Sequence, residues 1–140
     1  MPGFKDNTMT EDRLHQAADK LEIMDLSSNY MRGLDRLDGE LERSVFWGDA
    51  FCSYGIYEGG PDGFVDYCQN ALATHGSNHH FIGQINIDLD GDEAFGEVYY
   101  QAFHRVKNAA GEDRDLFVSG RYVDRYERRN GVWKIAYRSE

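Results

Sequence analysis

Hydrophobic residues near the start of the chain recur every three or four positions, which is the spacing of one face of an α-helix. The series comprises Leu14, Ala17, Ala18, Leu21, Ile23, Met24, Leu26, Tyr30, Leu34 and Leu37. Thr10 precedes two acidic residues, Glu11 and Asp12, a combination typical of a helix start. The pattern predicts a long amphipathic helix after a flexible N-terminal tail over residues 1–10.

Short helical patterns and then long strand patterns follow this first helix. Helical spacing predicts helices over 39–45 and 64–73, and a strand is predicted between them over 49–57. Beyond residue 76, apolar and polar residues alternate in four long runs, as they do along strands. These runs cover residues 77–87, 93–107, 115–128 and 132–139 and are separated by the turn signals Asp90–Gly91–Asp92, 108–112 and Asn130–Gly131.

The order of predicted elements indicates an α+β fold. Helices would cover one face of a curved antiparallel sheet and give a cone-shaped α+β barrel with an internal pocket. A length of 140 residues is enough for one hydrophobic core. We therefore predict a single domain over residues 11–140.

Composition and charge narrow the range of partners. The chain carries 25 acidic and 15 basic residues, for a net charge of −10, so nucleic acid and anionic membrane are not expected partners. The sequence has no long apolar run, and its polar start is unlike a signal peptide. These features predict a soluble cytoplasmic protein.

Cysteines and aromatic residues add two expectations. Two cysteines, Cys52 and Cys68, are enough for one disulfide, but two isolated cysteines are more typical of free thiols. Nine Tyr, eight Phe and two Trp in a small domain suit a concave pocket for a small hydrophobic or aromatic-like substrate.

The strand over 77–87 carries the most suggestive chemistry. Alternation places His80, Ile82, Gln84 and Asn86 on one face, which resembles a polar cavity wall. The opposite face holds His79, Phe81, Gly83, Ile85 and Ile87 and looks suited to sheet packing. Histidine titrates near neutral pH, so His80 is a candidate general base; a hydrogen-bonded structural histidine is the alternative.

Asp35 is the second candidate, at the end of the first predicted helix. A carboxylate is slightly unfavourable there, because the helix dipole favours cations at the C-terminus. The position suggests either a functional carboxylate or an exposed one. Asp35, His80 and His104 lack His-x-His or His-x₃-His spacing, so no metal site is predicted. The glycine run over 55–63 lacks a phosphate-loop pattern, and no cofactor is predicted.

Three local motifs resemble those of a known group of proteins. The first runs from Leu21 to Asp35, the second is His80–Phe81–Ile82–Gly83, and the third runs from Tyr122 to Ile135. Together they resemble the nuclear transport factor 2-like superfamily, in its polyketide-cyclase and scytalone-dehydratase-like branch. That branch includes scytalone dehydratase, hexachlorocyclohexane dehydrochlorinase and bile acid 7α-dehydratase. The resemblance extends from about Ala17 to Arg138.

The resemblance implies a role for each matching residue. Asp35 and His80 match a catalytic Asp–His pair, and His104 matches a second histidine that would act as the acid for the leaving group. The other matches are Tyr30 and Tyr54 as phenol donors and Arg138 as a substrate contact. Tyr122 and Gln84, the latter on the same strand face as His80, are further candidate substrate contacts. Leu34, Gly120 and Tyr122 depart from scytalone dehydratase, so scytalone itself is not the expected substrate.

The function implied is that of a cofactor-free lyase, a dehydratase acting on a hydroxy-ketone or a cyclic aromatic precursor. A proton-transfer isomerase of the ketosteroid kind is the first alternative, and a non-catalytic module that binds hydrophobic ligands is the second. A curved sheet in a small domain leaves an apolar face open, so a homo-oligomer is expected, a trimer or a dimer.

Overall fold

The computed structural model describes residues 7–140, which form three helices and six strands. In chain order these are α1 Asn7–Arg36, α2 Gly39–Ser44, β1 Phe46–Ser53, β2 Glu58–Gly59, α3 Pro61–Leu72, β3 Ser77–Asp90, β4 Glu93–Lys107, β5 Asp113–Arg129 and β6 Val132–Ser139. The predicted order is observed, with the two-residue strand β2 added. Helix α1 begins at Asn7, so part of the predicted tail is helical, and the rest of that tail lies outside the described residues.

The strands form one curved, unclosed sheet in the order β2-β1-β6-β5-β4-β3. Strands β4 and β5 pair without interruption over fifteen positions, from Glu93 opposite Glu127 to Lys107 opposite Asp113. All neighbouring strands are antiparallel except β1 and β6, which are parallel. The predicted antiparallel pairing therefore holds for every pair but this one, where β6 returns beside β1 after α3 and four intervening strands.

The core lies between the helices and the concave face of the sheet. Alternate residues of β4 from Ala94 to His104 are buried, as the alternation predicts. Helix α1 covers them with Ile23, Tyr30 and Leu34, each at most 2% exposed. No helix within residues 7–140 is long and apolar enough to cross a membrane.

The hydrophobic series along α1 divides into two faces rather than the single predicted one. Ile23 and Tyr30 pack into the core, whereas Leu14 and Leu21 are 65% and 63% exposed. At 100° per residue, the two leucines fall on the opposite side of the helix from the core residues. Spacing alone does not distinguish two narrow stripes from one broad stripe.

A β-bulge in β3 changes which side chains face the core. Ile82 pairs with Tyr100 but Ile85 pairs with Val98, so β3 carries one extra residue here. The inward face therefore continues from Ile82 to Ile85 and Ile87 instead of Gln84. The predicted facing of this strand is correct up to Ile82 and wrong beyond it.

The connection between α1 and α2 fixes the end of α1. Leu37 adopts a positive φ of 53°, and the Asp38 N–H donates to the Gly33 carbonyl at 2.9 Å. A Cβ at Gly33 would lie 2.7 Å from the backbone nitrogen of Glu42, so only glycine allows α2 to approach so closely. This contact holds the last turn of α1, which carries Asp35.

Glu42 is a buried carboxyl group behind this junction. Its side chain is fully buried, and Oε2 accepts a hydrogen bond from Gln69 Nε2 at 2.5 Å. Burial raises the pKa of Glu42 to about 7. The folded protein therefore keeps this proton to a higher pH than the unfolded chain does.

The raised pKa of Glu42 predicts a pH-dependent stability. The folded state holds a proton that the unfolded state releases near pH 4.5, so this contribution is complete below pH 4.5 and is lost as pH rises to about 7. The loss amounts to about 3 kcal/mol of unfolding free energy. Urea denaturation between pH 5 and pH 8 should show a smaller decline for Glu42→Gln than for the wild type.

The matched control is Glu40→Gln, which changes an exposed carboxylate on the same helix. It should keep the wild-type decline. An identical decline in Glu42→Gln and the wild type would show that Glu42 does not titrate in this range.

Candidate active site

Asp35 and His80 meet at the edge of the core. Asp35 lies in the last turn of α1, and His80 lies near the start of β3. His80 Nδ1 is 2.7 Å from Asp35 Oδ1, and the His80 backbone N–H donates to both carboxylate oxygens at 2.9 and 3.1 Å. These donors offset the unfavourable position of a carboxylate at a helix C-terminus.

The contact fixes the tautomer of His80. A carboxylate only accepts hydrogen bonds, so Nδ1 carries a proton, and in the neutral ring the lone pair lies on Nε2. The His80 side chain is 7% exposed and that of Asp35 is 19% exposed. The arrangement leaves an oriented imidazole with a free basic nitrogen.

His80 forms part of the wall of an internal cavity of about 210 Å³. The cavity walls are largely aromatic, and the lining residues are Tyr30, Leu34, Tyr54, Ile56, Phe64, Tyr67, Cys68, Ala71, Leu72, His80, Tyr100, Ala102, His104, Val118, Tyr122 and Glu140. A wider groove of about 790 Å³ outside α2 and α3 is lined by charged side chains such as Arg43 and Asp62. We place the candidate site in the smaller cavity, because it contains the oriented imidazole.

Two phenols meet on the cavity wall. The hydroxyls of Tyr30 and Tyr54 are 3.1 Å apart, and the Tyr54 ring stacks on Phe64 with centroids 4.0 Å apart. Burial raises the pKa of both phenols well above the ordinary value, so both stay protonated at neutral pH. One phenol donates to the other, and the second keeps a hydroxyl proton for a ligand.

Tyr100 and Tyr122 form a second aromatic pair in the wall. Their rings stack with centroids 4.6 Å apart, and the Tyr100 hydroxyl donates to the Glu140 carboxylate. A Cβ at residue 120 would lie 2.9 Å from the Tyr100 hydroxyl oxygen. Gly120 therefore leaves the space that the Tyr100 ring occupies.

His104 lies beside His80, with ring centroids 5.2 Å apart. Its Nδ1 is 2.7 Å from Asn78 Oδ1. Burial, followed by the nearby His80 and His75, lowers the pKa of His104 to about 4. His104 is therefore neutral at pH 7, which does not favour its predicted role as the acid for the leaving group.

The match to a family model agrees with this geometry. The model of the SnoaL-like domain matches residues 15–139, which is nearly the whole chain. The chain belongs to the SnoaL-like family. This assignment confirms the predicted membership of the nuclear transport factor 2-like superfamily.

Proteins similar to this SnoaL-like protein include some named hexachlorocyclohexane dehydrochlorinase. It is 28% identical over 131 residues to hexachlorocyclohexane dehydrochlorinase 1 of Sphingobium indicum, covering 88% of this chain and 80% of that protein. It is 29% identical over 130 residues to an uncharacterized protein of Mycobacterium bovis, covering 89% and 86% of the two chains. The crystal structure of a type 2 hexachlorocyclohexane dehydrochlorinase superposes with a TM-score of 0.81 at 25% identity, covering 91% and 86%.

Arg138 does not occupy the place predicted for a substrate contact. Its guanidinium is fully buried and binds both Asp124 oxygens, at 2.8 and 2.7 Å. It also lies 4.5 Å from the Tyr30 ring centroid and 4.2 Å from that of Tyr122. In this SnoaL-like domain Arg138 supports the tyrosines from behind the cavity wall.

Gln84 is also misplaced in the prediction. The bulge after Ile82 turns Gln84 onto the exposed outer face of the sheet, beside Tyr99. Strict alternation from His80 would place it in the cavity, and the extra residue reverses its direction. Five of the predicted site residues thus line the cavity: Tyr30, Tyr54, Tyr122, His80 and His104. Asp35 lies behind His80. Gln84 lies outside the cavity.

Other chemistry is limited in the described part of the SnoaL-like domain. Among residues 7–140 no group of three or more His, Cys, Asp or Glu side chains is placed to hold a metal ion. Cys52 and Cys68 are free thiols. Burial raises the pKa of Cys68, which lines the cavity, to about 12, so this thiol is not an activated nucleophile.

Sequence reasoning missed three polar residues of the site. Asn78 precedes His80 by two positions on the same strand, so alternation could have found it. Tyr100 shares the predicted inner face of β4 with His104. Glu140 follows the last strand and has no sequence signal.

The buried Arg138–Asp124 pair, which lies behind the cavity wall, gives a testable prediction about stability. Asp124→Asn leaves a fully buried guanidinium without its counter-charge, which costs about 3–5 kcal/mol of unfolding free energy. Asp92→Asn is the control, because it removes an exposed partner of Arg128 and should cost at most about 1 kcal/mol. Chemical denaturation of both variants measures the difference, and equal small losses would contradict the supporting role of the buried pair.

Proposed function

We propose that this protein is a cofactor-free lyase, a dehydratase that eliminates water from a small cyclic hydroxy-ketone. The observation that carries the proposal is the 2.7 Å contact between His80 Nδ1 and Asp35 Oδ1 at the wall of an aromatic cavity. This contact leaves Nε2 of His80 as the base. The carboxylate stabilises the imidazolium that forms when Nε2 takes a proton.

The elimination proceeds in two linked proton transfers. His80 Nε2 removes the proton from the carbon next to the substrate carbonyl, and the electron pair of that C–H bond passes into an enolate. The enolate electrons then form the new carbon–carbon double bond as the neighbouring C–O bond breaks. The His80 imidazolium returns its proton to the departing oxygen, so water leaves and the imidazole is restored.

The tyrosine pair stabilises the enolate by donating a hydrogen bond to its oxygen. Tyr30 and Tyr54 share one hydrogen bond, and a second hydroxyl proton remains available to the carbonyl oxygen. A donor aimed at a developing oxyanion in a site of low polarity lowers the barrier more than it would in water. The Arg138 guanidinium, paired with Asp124, packs behind the Tyr30 ring and holds that ring in place.

The relatives support lyase chemistry in a broader sense. Those named hexachlorocyclohexane dehydrochlorinases are lyases by that name and resemble this chain over most of its length. Loss of hydrogen chloride and loss of water share a base that removes a proton beside a leaving group. The proposed substrate is our inference from the site and not a property of these relatives.

A proton-transfer isomerase is the second candidate. His104 is neutral at pH 7, so the cavity offers little general acid besides His80 and the phenols. An isomerase needs only a base that takes a proton from one carbon and returns it to another. The same His80 and tyrosine pair would serve that reaction.

Removal of either dyad residue should strongly reduce turnover. We expect His80→Ala and Asp35→Asn to lower kcat by about 10²- to 10⁴-fold while the protein remains folded. Mass-spectrometric detection of water loss from a panel of cyclic hydroxy-ketones measures the reaction.

Two exposed neighbours provide matched controls. His79→Ala alters the adjacent outward-facing histidine, and Asp25→Asn alters an exposed carboxylate on the same helix as Asp35. Both should keep wild-type turnover. Full activity in His80→Ala would remove the lyase proposal, and deuterium uptake from D₂O without loss of water would favour the isomerase.

We also propose that the protein is a homo-oligomer formed through the outer face of the sheet. Phe117 and Phe81 are 75% and 64% exposed on this face, and the Phe103 ring lies beside Phe117 with ring centroids 5.3 Å apart. Adjacent exposed apolar side chains of this size are typical of interfaces between subunits. A second copy of the same chain would cover them.

The oligomer proposal predicts a change of mass. Light scattering after gel filtration should give a trimer or dimer for the wild type and a smaller species for Phe117→Lys. Leu14→Lys, which changes an equally exposed residue on α1, should keep the wild-type mass. A wild-type monomer at micromolar concentration would contradict the proposal.

A further inference from the structure

Asn78 binds two histidines with a single oxygen. Its Nδ2 donates to the Leu72 carbonyl at 3.1 Å, and this contact fixes the amide orientation because a carbonyl can only accept. Oδ1 must then point the other way, where His75 Nδ1 and His104 Nδ1 each lie 2.7 Å from it. An amide oxygen has two lone pairs and accepts both N–H groups.

We infer that Asn78 is a positioning residue that holds His104 as its Nδ1-protonated tautomer, so that Nε2 of His104 accepts a hydrogen bond from a substrate hydroxyl. His104 is one of the cavity-lining residues, and Asn78 occupies its other ring nitrogen. The Nε2 lone pair of His104 is therefore the hydrogen-bond acceptor that a ligand in the cavity would meet. This inference rests on the proposed function only in taking the cavity as the ligand site.

The charges around His104 keep this lone pair available. His80 and His75 face it, with ring centroids 5.2 and 5.0 Å away, and Asp35 lies beyond His80. Burial and the two histidines hold the pKa of His104 far below neutral pH, and Asp35 opposes them only in part. A proton on Nε2 is thus disfavoured across the physiological range.

The pattern of donors and acceptors defines a class of ligand. The Tyr30–Tyr54 pair donates, whereas His80 and His104 each present an accepting nitrogen. A molecule with one carbonyl and one hydroxyl satisfies both sides of the cavity. An ether, an ester or a halogenated hydrocarbon lacks the donor that His104 requires, so the cavity should select hydroxyl-bearing substrates.

The tautomer can be observed directly by ¹⁵N-correlated NMR of the histidine rings. We expect wild-type His104 to carry its proton on Nδ1. Asn78→Asp, which keeps the accepting oxygen, should preserve that state, whereas Asn78→Leu should shift His104 toward the Nε2-protonated form. An Nε2-protonated His104 in the wild type would overturn the inference.

A matched pair of probes tests the acceptor itself. Phenol and anisole differ by the hydroxyl proton, and we expect the wild type to bind phenol about 3- to 10-fold more tightly. His104→Phe keeps a ring of similar shape without the lone pair and should reduce this preference, and His80 Nε2 remains as the second acceptor in the cavity. A phenol preference of wild-type size in His104→Phe would overturn the inference, even if Asn78→Leu fails to fold.

The binding assay also separates this inference from the proposed lyase activity. Its outcome does not depend on turnover, because neither probe is a substrate. A reduced phenol preference in His104→Phe supports the acceptor role whether or not any hydroxy-ketone is dehydrated. An unchanged preference in that variant rejects the acceptor role, whatever His80→Ala does to catalysis.

Discussion

The Asp35 carboxylate joins helix α1 to strand β3 by binding His80, which lies 45 residues further along the chain. It accepts the backbone N–H of His80 and also the ring Nδ1–H, so a single side chain fixes both the strand and the imidazole. Backbone hydrogen bonds at the end of α1 place the carboxylate, and Gly33 permits the close approach of α2 that holds this end. The orientation of the base therefore depends on packing between the helix and the sheet.

A buried polar layer supports the aromatic walls of the cavity. The Arg138–Asp124 pair is completely buried, and its guanidinium lies against the rings of Tyr30 and Tyr122. Replacing one member of such a pair leaves an uncompensated charge, so the layer depends on both partners. An ion pair and the aromatic rings packed on it thus form one wall of the cavity. The histidines and the free phenol proton face the ligand from the other walls.

Local sequence patterns predicted the helices and strands more reliably than they predicted which side chains point into the core. Strand β4 matches its predicted bounds, its alternation gave the buried face, and Asn130 and Gly131 take the positive φ values of the expected hairpin turn. The prediction failed at Gln84, because a one-residue bulge reverses the direction of later side chains while leaving the composition strand-like.

The remaining differences depend on contacts distant in sequence. The parallel pairing of β1 with β6 follows from where the last strand returns, which no local pattern records. Arg138 is a core residue because Asp124 lies directly opposite it on the neighbouring strand β5, although an arginine near a chain end suggests a surface position. The Asp35–His80 contact was expected from resemblance to a family and could not follow from the spacing of the two residues.

The protonation state of the His80 ring, read by ¹⁵N-correlated NMR in the wild type and in Asp35→Asn, is the most direct test of the role of Asp35. We predict one tautomer of the neutral ring in the wild type, with the proton on Nδ1 and a bare Nε2. We also predict a mixture of tautomers once the carboxylate is replaced. An Nε2-protonated ring in the wild type, or a spectrum unchanged by Asp35→Asn, would contradict the claim that Asp35 orients His80 as a base.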